Sequence, residues 1–92
     1  MLTGKEKRAL RALGNRLKAE IWIGKDGITE GTIQALKNSF NTKELVKIKL
    51  QENCPLSRQE VAGILCRRTG AELVQILGNT LLLYHPFPEE DS

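Results

Sequence analysis

The chain has 92 residues, of which 40% are hydrophobic and 27% are charged, and its formal net charge is +3 at pH 7. This length and composition are typical of a single globular domain with one core, and they exclude a fibrous or wholly disordered chain. No apolar run approaches the roughly 20 residues that a membrane-spanning helix needs, so we expect no membrane partner. The charged start of the sequence does not resemble a secretory signal, and we therefore expect a cytoplasmic protein.

The positive charge is concentrated at the start of the chain. Residues 1–18 contain six basic side chains against Glu6 alone, whereas the last residues are acidic and follow two prolines. A basic body with an acidic end suggests a polyanion as the partner. We predict one domain over residues 1–86 and an acidic, disordered tail over residues 87–92.

Few residues are suited to catalysis or to metal binding. Two cysteines, Cys54 and Cys66, and a single histidine cannot supply a zinc site, so we expect no metal and no other cofactor. Reduced thiols are favoured, and a disulfide between the two remains open. Because His85 lies outside the predicted core and no nucleophile has a base beside it, we expect neither enzymatic activity nor a small-molecule substrate.

The first predicted helix runs from about Gly4 to Arg16. Thr3 and Glu6 form the pattern of a capping box. Leucines recur at helical spacing, and we expect their stripe to face the core, with the basic residues on the opposite side. The stripe consists of Leu10, Leu13 and Leu17, and the basic residues are Lys5, Lys7, Arg8, Arg11 and Arg16.

The first predicted strand, residues 19–23, ends at a loop with two glycines. Ile21 and Ile23 alternate with Trp22, which is a strand pattern. Trp22 could stack on a nucleic-acid base, but the chain is only 4% aromatic, so we interpret this side chain as packing. The second predicted helix follows its cap Thr29 and runs to about Lys43.

The second predicted strand, Leu45–Leu50, alternates apolar residues with Lys47 and Lys49. These lysines could extend a phosphate-binding track or form a solvated face, and the pattern favours neither. A third helix is predicted before Gly70, and two further strands form a hairpin. Together the elements predict a compact α/β domain of order αβαβαββ, with a mixed four-stranded sheet and three helices.

The loop Gly24-Lys25-Asp26-Gly27 joins the first strand to the second helix. The N-terminus of a helix has backbone N–H groups without partners and the positive end of the helix dipole, both of which attract anions. Two glycines let the backbone approach a ligand closely, and Lys25 adds positive charge. The GXXG loop of KH domains holds a nucleotide backbone by the same logic. Asp26 would repel a phosphate, so we expect its carboxylate either to cap the following helix or to point to solvent.

Four segments of the sequence carry a family resemblance. They are Leu2–Lys5, Trp22–Glu30, Glu44–Ile48 and Leu73–Thr80. In this order they resemble the YhbY family, the bacterial stand-alone form of the CRM domain, and the resemblance extends to about Pro86. It implies an RNA-binding domain with a fold similar to the C-terminal domain of bacterial translation initiation factor three.

The resemblance also implies a partner and a site. Members of the family are associated with precursors of the large ribosomal subunit, so we expect large-subunit precursor rRNA and the pre-ribosomal particle as partners in ribosome assembly. The expected RNA-binding residues are Gly24, Lys25, Asp26, Gly27, Lys5, Lys7, Arg8, Arg11 and Arg16. The alternative function is a protein-interaction module whose basic helix docks an acidic partner on the ribosome.

Overall fold

A computed structural model describes residues 2–87 and shows three helices and four strands in the predicted order. The elements are α1 (Gly4–Gly14), β1 (Ile21–Ile23), α2 (Glu30–Phe40), β2 (Leu45–Leu50), α3 (Arg58–Thr69), β3 (Glu72–Leu77) and β4 (Thr80–Tyr84). Within residues 2–87 no helix is long and apolar enough to cross a bilayer. Of the predicted acidic tail over residues 87–92, residues 88–92 lie outside the described residues.

The four strands form one mixed sheet, as predicted. Its strand order is β1-β2-β4-β3, with β1 parallel to β2 and the other neighbours antiparallel. The parallel pair is connected through α2, because parallel neighbours need a crossover, whereas β3 and β4 form a tight hairpin. The hairpin turn contains Gly78 at φ +57°, in the region that glycine adopts without strain.

One face of the sheet, the inner face, packs against α2 and α3 and forms the core. Strand alternation places Ile23 of β1 and Ile48 of β2 on this face, as the sequence pattern predicted. The largest fully buried side chains are Ile23, Leu36, Ile48, Leu65, Leu81, Leu83, Val46 and Val61. The helix α1 packs on the opposite face of the sheet, the outer face.

The orientation of α1 differs from the prediction. Its capping box between Thr3 and Glu6 is present, but Leu13 is 58% exposed and Leu17, beyond the helix, is 37% exposed. The covered positions of α1 are instead Lys7, Leu10, Arg11 and Gly14. The predicted inward leucine stripe is confirmed at Leu10 and wrong at Leu13 and Leu17. Lys7 and Arg11 take part in the covered face instead, because the aliphatic stems of lysine and arginine can be half-buried.

Contacts at the C-terminal end of α1 hold this helix on the outer face. The Lys47 ammonium donates hydrogen bonds to the carbonyl oxygens of Gly14 and Leu17 at 3.1 and 3.2 Å. Gly14 is buried against the side chain of Leu82, and a Cβ added at this glycine would clash with it. Lys47 thus has a structural role at the end of a helix, where a cation is favoured by the helix dipole.

We expect Gly14→Ala and Gly63→Ala to change stability in opposite directions, although both replace a helical glycine. Gly14→Ala should lower the free energy of unfolding by about 1 to 2 kcal/mol, because the new methyl group overlaps a buried side chain. A Cβ on Gly63 meets no atom within 4 Å. Gly63→Ala should raise the free energy of unfolding by about 0.5 to 1 kcal/mol through better helix propensity. Urea titrations of both variants measure this, and changes of the same sign would contradict the close approach of α1.

Candidate nucleic-acid interface

The loop Gly24-Lys25-Asp26-Gly27 is a tight turn at the end of β1. The Gly27 N–H donates to the Gly24 carbonyl oxygen at 3.0 Å, which closes a four-residue turn. Gly27 has φ +64°, a conformation that other residues rarely adopt. Lys25 and Asp26 occupy the two central positions and are exposed. The turn therefore presents one cation and one anion to solvent.

The turn packs against the chain that follows β2. A Cβ on Gly24 would lie 2.5 Å from the Gln51 side-chain oxygen, so a larger residue would force this contact apart. The Gln51 N–H in turn donates to the carbonyl oxygen of Ile23 at 2.8 Å. Gly27 is buried beside Pro55 and Leu56. The turn is thus held by one backbone hydrogen bond at its start and by side chains of the segment that follows β2.

The N-terminus of α2 lies close to the turn but is capped by its own residues. The Thr29 hydroxyl accepts a hydrogen bond from the Thr32 N–H at 3.1 Å, and the Thr32 hydroxyl accepts one from the Thr29 N–H. Asp26 makes no hydrogen bond within residues 2–87, so its expected role as a helix cap is wrong and its carboxylate points to solvent. An open depression separates the turn from the helix start, and Trp22, Lys25, Thr29 and Asn53 are among the residues that line it.

A row of side chains beside this depression crosses all four strands on the outer face. Each residue of the row is paired with the next one on the neighbouring strand, and we call the row the open row. Its members are Trp22, Lys49, Thr80 and Leu77. The next row along the strands contains Leu82, which is covered by the end of α1 at Gly14. Because the helix ends there, the open row is left uncovered, with Trp22 56% exposed.

The structure separates the basic residues that bond within the protein from those that do not. Every lysine and arginine from Lys5 to Lys25 lacks a salt bridge or side-chain hydrogen bond to another residue of the described range 2–87, and so does Lys49. Lys43 and Arg68, by contrast, are paired with Glu20 and Glu30 at 2.8 Å. The available cations thus concentrate on α1, the following segment, the open row and the turn.

The predicted site residues occupy two ends of the outer face rather than one cluster. The start of α1 lies at the Glu72 end of the sheet, where the Leu2 N–H donates to the Glu72 carboxylate at 3.1 Å. The turn follows the opposite end, beside Leu50, and the two ends of β2 are about 17 Å apart at 3.3 Å per residue. Of the predicted basic residues, Lys5, Arg8, Arg16 and Lys25 are exposed, whereas Lys7 and Arg11 are half-buried.

Two residues of this surface were missed by the sequence analysis. Trp22 was interpreted as packing, which is wrong, because its side chain lies on the uncovered part of the outer face. Lys49 could not be separated from Lys47, and the structure assigns them different roles: Lys47 bonds α1 and Lys49 is exposed. The strand alternation already placed Trp22 opposite to the core face, but the position where α1 ends had no sequence signal.

Comparison with known proteins gives a consistent result across most of the chain. The sequence matches the family described as CRS1 / YhbY (CRM) domain over residues 2–85. A Bacillus subtilis relative, named Probable RNA-binding protein YqeI, is 36% identical over 84 residues, or 91% of this chain and 88% of the relative. A Haemophilus influenzae relative, named RNA-binding protein, is 33% identical over 88 residues, or 96% of this chain and 89% of the relative.

The fold is likewise similar to a solved structure. The solution structure of the hypothetical protein SAV1595 from Staphylococcus aureus superposes with a TM-score of 0.82 at 35% identity, covering 99% of this chain and 95% of the other. An Arabidopsis thaliana protein, the chloroplastic CRM-domain containing factor CFM2, is 34% identical over 79 residues, which are only 8% of its length. Since the family match spans almost all described residues and two bacterial relatives of similar length exceed 30% identity, the chain belongs to the CRS1 / YhbY (CRM) domain family.

Proposed function

We propose that this protein binds RNA through its phosphate backbone, using the turn Gly24–Gly27 and the unpaired cations of the outer face. The relatives from Bacillus subtilis and Haemophilus influenzae carry RNA-binding in their names, which supports the same partner for this chain. The resemblance to the YhbY family favours large-subunit precursor rRNA in a pre-ribosomal particle. The proposed role is ribosome assembly in the cytoplasm, without a catalytic step.

The observation that carries the proposal is that the exposed Lys25 of the turn and the exposed basic residues of the outer face have no ion-pair partner within residues 2–87. RNA carries a condensed atmosphere of cations, and unpaired lysines and arginines that neutralise its phosphates release those cations, which favours binding. Cations already neutralised by carboxylates would contribute much less. The exposed residues Lys5, Arg8 and Arg16 on one side and Lys25 on the other would contact separate phosphates of one backbone.

Two features support a function without catalysis. Burial and the nearby carboxylate of Glu72 raise the pKa of the Cys66 thiol, which keeps it protonated and therefore a poor nucleophile at neutral pH. The ring of His85 packs on Phe40 with centroids 5.4 Å apart, so it serves as a packing group.

The second candidate function, docking of an acidic protein partner, is favoured by a different observation. The exposed side chains of Leu13 and Leu17 lie beside the basic residues of α1, and a partner that is both acidic and apolar would cover them. Purification from cells distinguishes the two functions. A protein partner would remain bound after nuclease treatment, whereas an RNA-dependent association would be lost.

We expect Lys25→Gln to weaken binding to a large-subunit rRNA fragment by about three- to tenfold at 0.1 M salt, because one phosphate contact is lost. The slope of log affinity against log salt should fall by about one. Lys37→Gln is the matched control, since Lys37 is also exposed and unpaired but lies on α2, across the sheet from α1. Fluorescence anisotropy at several salt concentrations measures both variants. Equal affinities and slopes for the two variants would show that the turn is not the site.

The identity of the RNA requires a separate experiment in cells. Crosslinking of the tagged protein followed by sequencing of the bound RNA should enrich large-subunit precursor sequences over mature rRNA and messenger RNA. Lys25→Glu should reduce the crosslinked yield, because the reversal of charge repels the backbone. Enrichment of another RNA class would overturn the assignment to ribosome assembly and leave RNA binding in place.

A further inference from the structure

Trp22 lies outside the buried core despite its size. The contribution of β1 to the core comes from Ile21 and Ile23, which are both buried, whereas the indole lies on the outer face and is 56% exposed. Leaving this much apolar surface in water forgoes the stabilisation that a buried tryptophan would provide. The exposed part of the indole is therefore available for a ligand.

The surroundings of Trp22 contain two lysines and one carboxylate, that of Asp26, which lines the same depression. The register partner of Trp22 on β2 is Lys49, and Trp22 lines the same depression as Lys25. Neither lysine has an ion-pair or hydrogen-bond partner among residues 2–87. An exposed aromatic side chain therefore has one available lysine on the neighbouring strand and another across the depression, in the turn proposed to bind a phosphate.

We propose that Trp22 is a stacking platform for one unpaired RNA base, with Lys25 and Lys49 binding the phosphates on its two sides. This inference rests on the proposed RNA-binding function and specifies the substrate further, as RNA that is single-stranded at the turn. A base within a duplex is stacked on both faces and cannot reach the indole, whereas a base in a loop, bulge or end can be splayed onto it. Because every base has a π-face, the contact tolerates different sequences.

The composition of the open row favours a nucleotide over an apolar protein segment. The row is apolar only at its ends, Trp22 and Leu77, and Lys49 and Thr80 separate them. Neighbouring strands are about 4.8 Å apart, so the two apolar ends lie about 14 Å from each other across the sheet. A hydrophobic helix or strand would have to bury the lysine between them, whereas a nucleotide pairs its phosphate with that lysine.

The chain contains one tryptophan, so its fluorescence reports on this platform alone. The probes are a single-stranded RNA of about 12 nucleotides and the same strand annealed to its complement, a length within the range that single-strand binding domains cover. We expect the single strand to quench Trp22 emission and the blunt duplex to leave it almost unchanged. Equal quenching by both RNAs would overturn the proposal, since a duplex presents no free base.

Substitutions then separate stacking from charge. Trp22→Leu should weaken single-strand binding about tenfold, leave duplex binding unchanged and leave the salt dependence unchanged, because no charge is removed. Trp22→Phe should retain most of the affinity, since an aromatic ring remains. Lys49→Gln should instead reduce the slope of the salt dependence by about one. Thermal unfolding of each variant shows whether the fold is intact.

The result also distinguishes this inference from the proposed function on which it rests. If Lys25→Gln weakens RNA binding but Trp22→Leu does not, the platform is disproved and the phosphate site remains. If Trp22→Leu and Trp22→Phe weaken duplex and single-strand binding equally, the indole supports the fold of the turn and the proposal is also wrong. If RNA changes neither emission nor anisotropy, both proposals fail together, and a protein partner becomes the occupant to test.

Discussion

The double variant R8E/K25E is expected to bind a large-subunit rRNA fragment about 100-fold more weakly than the unchanged protein at 0.1 M salt. Arg8 is exposed on α1 and Lys25 is exposed in the turn, at opposite ends of the outer face. Each reversal removes one phosphate contact and introduces a repulsion at the same place, so the loss should exceed that of neutral substitutions.

The control for this variant is K37E/R67E, which lowers the net charge by the same amount. Lys37 and Arg67 are also exposed and unpaired within residues 2–87, but they lie on α2 and α3, on the other side of the sheet. Charges more than about 10 Å from the RNA are largely screened at 0.1 M salt, so we expect the control to lose no more than about threefold. Equal losses for both pairs would mean that net charge, rather than the outer face, determines binding.

The largest expected effect on stability comes from Leu36→Ala in α2. Leu36 is 0% exposed, and its truncation should lower the free energy of unfolding by about 3 kcal/mol through lost burial and a residual cavity. Leu13→Ala in α1 is the same substitution at an exposed position and should change the free energy of unfolding by less than about 0.5 kcal/mol. Urea unfolding followed by circular dichroism measures both.

This pair of variants also tests the orientation of α1. The leucine spacing of the sequence predicts that Leu13 is buried, in which case Leu13→Ala would be as costly as Leu36→Ala. The structure instead covers the α1 face that contains Leu10 and Gly14. A loss of several kcal/mol for Leu13→Ala would therefore mean that α1 docks through its leucines.

Local sequence patterns were sufficient to predict the elements and their order. The alternation of Leu45–Leu50 predicts a strand with one buried face, and Gly78-Asn79 predicts the hairpin turn, because both depend on neighbouring residues only. The turn Gly24–Gly27 was also predicted, because two glycines separated by two residues mark a turn, and Gly27 does adopt the positive φ that glycine allows. The CRM-domain motifs, read in order, identified the family.

Tertiary packing decided which surfaces are covered and which side chains are available. The sequence alone determined that Trp22 points away from Ile21 and Ile23, but only the docking of α1 decided that this side is open at Trp22 and closed at Leu82. Likewise, Lys47 and Lys49 share one strand face, and the end of α1 lies within reach of the first alone. Such differences depend on contacts between residues distant in sequence, which no local periodicity encodes.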